Sequence, residues 1–473
     1  MFLVFSSLEF LYLFFPLCML FYYLAKTINI KNAVLIVFSL VFYAWGEPVY
    51  VFLMLFTVGI DYFLGLAIER NRGTRAGKVW LVIAAAVNFG LLAYFKYAGF
   101  AVESLNGVLG TSIPVPKISL PIGISFYTFQ VFSYIVDVYR GDVKAQRSPL
   151  KLLLFVSLFH QLVAGPIVRY DHVAAEIENR KVTPVEISMG IDRFVVGLAK
   201  KVVLANLAGE LADTYLKAKN LSEVPVLGAW FGVIMFALQI YFDFSAYSDM
   251  AIGMGRMVGF HYHENFNYPY LSRSISEFWR RWHMSLGSFF RDYVYIPLGG
   301  NRKHLVRNLF IVWGLTGLWH GASWNFVLWG LYFFVFLLLE KKLIGKYLER
   351  VPILAHLYFF FVINIGWVLF YYTDLGSVGT LLKGLVGLNG NAFTNEMVDI
   401  TLKNNLFFII FAIAAAFPVI KLLKKLYIKV SKMGKQMAAV AYVVKGAGIA
   451  GLLFLSTAML AGQAYNPFIY FRF

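Results

Sequence analysis

Ten stretches of this 473-residue chain contain no Asp, Glu, Lys or Arg: 10–25, 32–46, 79–95, 118–136, 152–168, 224–242, 308–339, 351–373, 404–420 and 446–471. Most approach the ~20 apolar residues needed to cross a ~30 Å hydrocarbon core. With shorter segments such as 48–68 and 190–208, the pattern predicts about 11–13 membrane helices. Helices are expected because lipid offers no partner to a backbone N–H or C=O, so each segment must satisfy its own. A β-barrel is excluded: the runs are continuous rather than alternating, and too long. The predicted fold class is therefore an all-α polytopic membrane protein.

Composition agrees. Hydrophobic residues make up 60% of the chain and charged residues 14%, against about 45–50% apolar in soluble domains. A soluble protein could not hide that much apolar surface without large exposed patches. The first apolar segment lacks a basic leader, and Glu9 stands where Lys or Arg would be expected, so it reads as a retained helix. The single cysteine, Cys18, lies inside it, which leaves no intramolecular disulfide and makes a packed thiol the better reading.

A net charge of +17 could suggest a nucleic-acid partner. In a membrane chain the excess instead follows the positive-inside rule and contact with anionic lipid headgroups, and no nucleic acid is expected. Basic residues gather at Lys26 and Lys31, at Arg70, Arg72, Arg75 and Lys78, and at Arg140, Lys144, Arg147 and Lys151. The loops between them, around Glu47, 96–117 and 169–188, are nearly neutral or slightly acidic. This alternation places the N-terminus outside and the basic loops in the cytoplasm of a cell (inner) membrane. No polar stretch is long enough for a soluble domain. The organisation expected is one membrane-embedded unit over 1–473, with a core at about 1–340 and C-terminal helices at about 350–473.

The stretch 256–307 is arginine- and aromatic-rich and too polar to span. Ser274 followed by Glu277 matches a capping box. From there Ile275, Phe278, Trp279, Trp282, Leu286, Phe289, Phe290 and Tyr293 share one face at helical spacing. Arg280 and Arg291 fall opposite, with Arg281 on the far flank. One helix lying in the interface plane is predicted, ending at Pro297, Gly299 and Gly300.

His320 lies in Trp319-His320-Gly321-Ala322-Ser323-Trp324, within the 32-residue uncharged run. An ionisable group at membrane depth is costly and is a functional candidate by default. Burial disfavours the imidazolium, leaving a neutral ring able to take a proton from a hydroxyl nucleophile. The competing reading is a neutral histidine bonded between helices. Gly314, Gly317 and Gly321 would admit either a substrate or a neighbouring helix. His283 falls at the border of the interfacial face, where it could assist His320 or simply keep a wet tip. Asp243 and Asp249 could line a polar path, or pair with Arg256 or with Lys200 and Lys201; the structural role is favoured. His261 and His263 precede Glu264, but with no third histidine nearby a polar loop is favoured over a metal site. Walker loops, Gly-x-Ser-x-Gly elbows, His-Glu-x-x-His motifs and paired-cysteine sites are absent.

These segments together resemble the membrane-bound O-acyltransferase (MBOAT) family, and within it the bacterial branch typified by alginate O-acetylation. The likeness rests on residues 120–130 (LPIGISFYTFQ), 165–170 (GPIVRY) and 241–249, on 265–270 (NFNYPY) leading into 277–286 (EFWRRWHMSL), and on 319–324 (WHGASW). It covers about 1–340, and the rest matches in hydropathy and length. The resemblance implies that His320 is the family's membrane histidine and His283 its second, both needed for activity. It also implies a ring of tilted helices around a thinner centre, with a tunnel from a cytoplasmic donor site to the outer face. An acyl thioester donor (acetyl-CoA or an acyl carrier) would present phosphates to Arg280, Arg281 or Arg291. Trp319, Trp324 and Asp249 complete the expected substrate-contacting set. The acceptor that the resemblance implies is an exported polysaccharide, or an extracytoplasmic relay protein that passes the acetyl group on. Two alternatives stand: D-alanyl transfer to teichoic acid from a carrier protein, and a transporter using Asp243, Asp249 and His320 as a proton relay.

Overall fold

The computed structural model describes residues 3–162, 165–462 and 468–469, and among these the secondary structure is helical, with no strand. Six helices among the described residues are long and apolar enough to cross a membrane: Ile28–Gly46, Tyr50–Arg70, Arg75–Leu109, Val226–Met257, Pro352–Tyr371 and Lys435–Gly462. Glu396–Asn404 and Leu406–Ala415, bent by 61°, make a seventh if counted as one span. The other apolar runs are short, as in Phe10–Leu24, or divided, which is why the number of full-length spans falls below the number of runs. Run 118–136 becomes helical only at Ile124, after Pro121 and a left-handed Gly123 (φ 77°). Run 152–168 breaks between Pro149–Ser157 and Phe159–Leu162. Run 308–339 folds back on itself as two 16-residue helices, Leu305–His320 and Trp324–Leu339. The two lie against each other at glycines: a Cβ on Gly317 would stand 2.3 Å from the Phe326 carbonyl oxygen, and one on Gly330 2.3 Å from that of Trp313.

Val226–Met257 is the central element, and most of its residues are buried. It packs on Pro184–Ala199 through small residues, since a Cβ on Gly253 would meet the Gly190 carbonyl at 2.7 Å and one on Gly197 the Ala246 carbonyl at 2.8 Å. Charged groups join the same elements. Lys201 Nζ lies 2.7 Å from Asp243 Oδ1, and Lys200 Nζ 2.7 Å from Asp249 Oδ2. Both acidic residues are therefore paired with the neighbouring lysines, the favoured sequence reading. The C-terminal helices are tied in as well: Lys445 pairs with Asp192, and Ile469 N–H donates to Asp243 Oδ2 at 2.9 Å. Outward-facing aromatics such as Phe52 and Phe63 remain largely exposed, as a lipid-facing surface requires.

Two expectations need correction. Residues 96–109 are not a loop, because the Arg75–Leu109 helix carries on through them. The interfacial segment is not one helix. It starts as predicted, with Ser274 Oγ accepting from Glu277 N–H at 3.0 Å. The Glu340 carboxylate adds bonds from Ile275 N–H (2.5 Å) and Ser276 N–H (2.8 Å), a favourable anion at a helix N-terminus. The helix then stops at Arg281 and a second begins at Met284, with His283 between them in the left-handed region (φ 43°). The break is held by the preceding loop: Asn267 N–H donates to the Arg281 carbonyl at 2.9 Å and Met284 N–H to the Asn265 carbonyl at 3.0 Å. Tertiary bonds override a helical pattern that continues straight through the position.

Candidate active site

The break turns His283 inward. It is 2% exposed, rather than sitting at the wet border of an amphipathic face. Its Nδ1 lies 3.3 Å from Asn265 Oδ1. That oxygen also accepts from the Ser285 N–H (3.0 Å) and hydroxyl (2.9 Å), which identifies it as the carbonyl end of the amide. A carbonyl only accepts, so Nδ1 carries the proton and Nε2 is the basic nitrogen. Ile167 N–H donates to Ser285 Oγ at 3.0 Å, bringing the 165–170 motif to the same point. Phe244 stands edge-on to the imidazole, with ring centroids 4.6 Å apart.

His320 ends the Leu305–His320 helix and is 4% exposed. It is enclosed by Trp319, Trp329 and Phe370, with centroids 5.0, 5.0 and 5.2 Å away and each ring edge-on. Asn325 opens the next helix and donates to the Leu369 carbonyl at 3.1 Å, fixing the far wall. The two histidines come from separate segments and meet the same indole: the Trp319 centroid is 5.8 Å from His283 and 5.0 Å from His320. Phe126 and Phe129 pack on Trp319 from the 120–130 motif, at 5.2 and 5.8 Å. His283 and Lys96 are close enough to interact electrostatically with His320. The arrangement can hold one imidazole as a base while a second, oriented by Asn265, packs against the same indole.

The other residues singled out in the sequence are placed as follows. Arg280 is exposed. Arg281 is bonded to Glu277 (2.7 Å) and to the Asn267 carbonyl (3.1 Å). Arg291 is exposed and pairs with Asp292 at 2.6 Å, a carboxylate shared with Arg169 at 2.6 Å. Asp249 is held by Arg193 and Lys200. Trp324 is more than half exposed and packs edge-on against Phe100. Trp319 thus sits against both histidines, while the arginines, Asp249 and Trp324 have other neighbours. Sequence reasoning assigned no role to Lys96 or Asn265. The signal for Lys96 was a lysine directly after an uncharged run and between two aromatics, Phe95 and Tyr97.

Apolar helical spans around a buried histidine pair define a multi-pass membrane protein with the makings of a proton-transfer site. Residues 124–381 match the family described as MBOAT, membrane-bound O-acyltransferase family. The chain is 43% identical to the probable alginate O-acetylase AlgI of Pseudomonas aeruginosa, over 78% of this chain and 72% of that protein. It is 36% identical to the probable alginate O-acetylase AlgI of Pseudomonas putida over the full length of both. A peptidoglycan O-acetyltransferase of Helicobacter pylori is 35% identical over 82% of this chain and 80% of its own length. Teichoic acid D-alanyltransferases are more distant. The chain belongs to the membrane-bound O-acyltransferase family and is an acyltransferase.

Proposed function

We infer that this acyltransferase carries an acetyl group from a cytoplasmic thioester donor to a hydroxyl of an exported cell-surface polysaccharide, directly or through an extracytoplasmic relay protein. The observation that carries the reading is the meeting of His283 and His320 at Trp319 in the buried interior. Relatives named for O-acetylation of alginate and of peptidoglycan point to the acceptor class.

His320 acts as general base. It takes the proton of the attacking hydroxyl as the oxygen adds to the thioester carbonyl carbon, and the C–O bond forms. The C–S bond then breaks, and the proton passes to the departing thiolate. His283, with Nδ1 held by Asn265, offers Nε2 as a hydrogen-bond acceptor that orients the attacking hydroxyl. Aromatic walls keep water out, so the thioester is transferred rather than hydrolysed. The donor's phosphates approach Arg280, Arg281 and Arg291 from the cytoplasmic side of the inner membrane, and a tunnel through a ring of helices leads to the outer face.

The test is the O-acetyl content of the exported polysaccharide in cells carrying the native protein, His320→Ala or His283→Ala at matched membrane levels. Loss of acetylation in both variants supports the reading. Full acetylation with His320→Ala makes that residue a packing group and sinks the mechanism. Incorporation of D-alanine in place of acetate would move the chain to the teichoic acid branch.

A further inference from the structure

The helix end that presents His320 is capped from outside. The last carbonyls of an α-helix have no partner within it. Here Gly321 N–H reaches back to the Gly317 carbonyl at 3.4 Å, leaving the next carbonyls to be satisfied elsewhere. Tyr97 Oη donates to the Leu318 carbonyl at 2.7 Å, and Lys96 Nζ to the Trp319 carbonyl at 2.5 Å. Two successive carbonyls just before His320 are thus held by two successive residues of the Arg75–Leu109 helix. That helix is locally π over Ala93–Tyr97, and its wider turn narrows the angle between adjacent side chains, so both can address one target.

Lys96 also reaches Ser125 Oγ at 3.3 Å, and Trp319 Nε1 donates to the Ser125 carbonyl at 3.5 Å. The contacts close a loop through Lys96, Ser125 and Trp319, the residue that touches both histidines. Lys96 is itself buried. Burying a lysine head group costs more than bonds to one carbonyl and one hydroxyl return, so packing alone is a weak account of a lysine there. A cation at a helix C-terminus is favoured by the macrodipole, and its place is one residue from the base.

We propose that Lys96 is a positioning residue for acyl transfer: by holding the Trp319 carbonyl it fixes the helix end that aims His320 at the reacting hydroxyl. This rests on the acetyl-transfer reading above.

The experiment uses membrane vesicles from cells producing the polysaccharide, supplied with radiolabelled acetyl-CoA, with label incorporated into polysaccharide as the readout. Native protein, His320→Ala, Lys96→Met and Lys96→Arg are compared at equal amounts of folded protein, judged by monodispersity after solubilisation. Lys96→Met is expected to lower the maximum rate about 10- to 100-fold, the scale of a small misplacement of reacting groups, while KM for acetyl-CoA changes less than about twofold. Lys96→Arg, which restores a donor, is expected to recover much of that rate. A native maximum rate per folded molecule in Lys96→Met overturns the proposal. If His320→Ala also keeps the native rate, the acetyl-transfer mechanism itself fails and the positioning role falls with it. Should Lys96→Met not accumulate, Tyr97→Phe carries the test, because it keeps the ring and deletes the neighbouring bond. A lowered maximum rate at unchanged KM supports helix-end positioning, and a native rate overturns it.

Discussion

Asn265 and His283 are joined side chain to side chain, the amide oxygen 3.3 Å from Nδ1. The same oxygen takes the Ser285 N–H and hydroxyl, so one atom orients the imidazole and starts the helix after it. Asn265→Ala removes the acceptor, frees the tautomer and leaves a buried N–H without its partner. Activity should fall about tenfold or more, with stability lowered by about 1–3 kcal/mol. Asn265→Asp keeps an acceptor and should retain more activity than the alanine variant. Acetate incorporation at equal membrane level checks both, and equal activity in Asn265→Ala and native protein would exclude the role.

Lys201 and Asp243 form an ion pair with both side chains almost wholly buried. Removing one partner strands a charge in the core, so Asp243→Leu or Lys201→Met alone should destabilise by about 3–5 kcal/mol. The double replacement should cost clearly less than the sum, because no lone charge remains. Thermal unfolding of the solubilised protein measures the coupling. Strict additivity would show that the pair contributes nothing as a pair.

Glycines in the 308–339 run divide into two kinds. A Cβ at Gly317 would collide with the Phe326 carbonyl, whereas Gly314 has open space around its Cβ position. Gly317→Ala must push apart the two helices on either side of His320 and should cost about 1–3 kcal/mol along with activity. Gly314→Ala should be close to neutral in both. Membrane level and acetylation of the two variants, side by side, decide it; equal behaviour would mean the helices do not approach as described.

The spans at 28–46 and 50–70 and the capping box at Ser274 were readable in the sequence because each depends on local pattern. His320 stood out because a lone ionisable residue in an apolar run is rare. His283 was misplaced because the helical period runs unbroken from Ile275 to Tyr293, while the bonds that break it come from Asn265 and Asn267. Lys96 was missed for the opposite reason. A segment was closed at its first charge, although a carbonyl some 220 residues away satisfies that charge.

His261 offers a pH-dependent handle outside the spans. Its ring bridges Glu176 Oε1 at 2.7 Å and Glu186 Oε1 at 3.0 Å, and the bond to Glu186, aided by that to Glu176, holds its pKa above the usual 6.5. A pKa raised on folding gives stability that is fully present below the unfolded value and lost as pH rises through the folded one. Thermal stability should therefore fall as pH is raised from 6.5 through that higher value, with a steeper slope in the native protein than in His261→Gln. Identical slopes would remove His261 as the cause.

The break at His283 has a consequence for biogenesis. Residues 274–295 favour one unbroken helix when taken alone, and the loop that interrupts them contributes through Asn265 and Asn267. Its other wall, Trp319, arrives only with the hairpin synthesised after it. Asn265 and Asn267 precede the segment in the chain, so the break can form as it emerges, before Trp319 and His320 have been made. Competence is acquired only once the later hairpin has inserted, so a truncated or half-inserted chain holds no working acyltransferase in the bilayer.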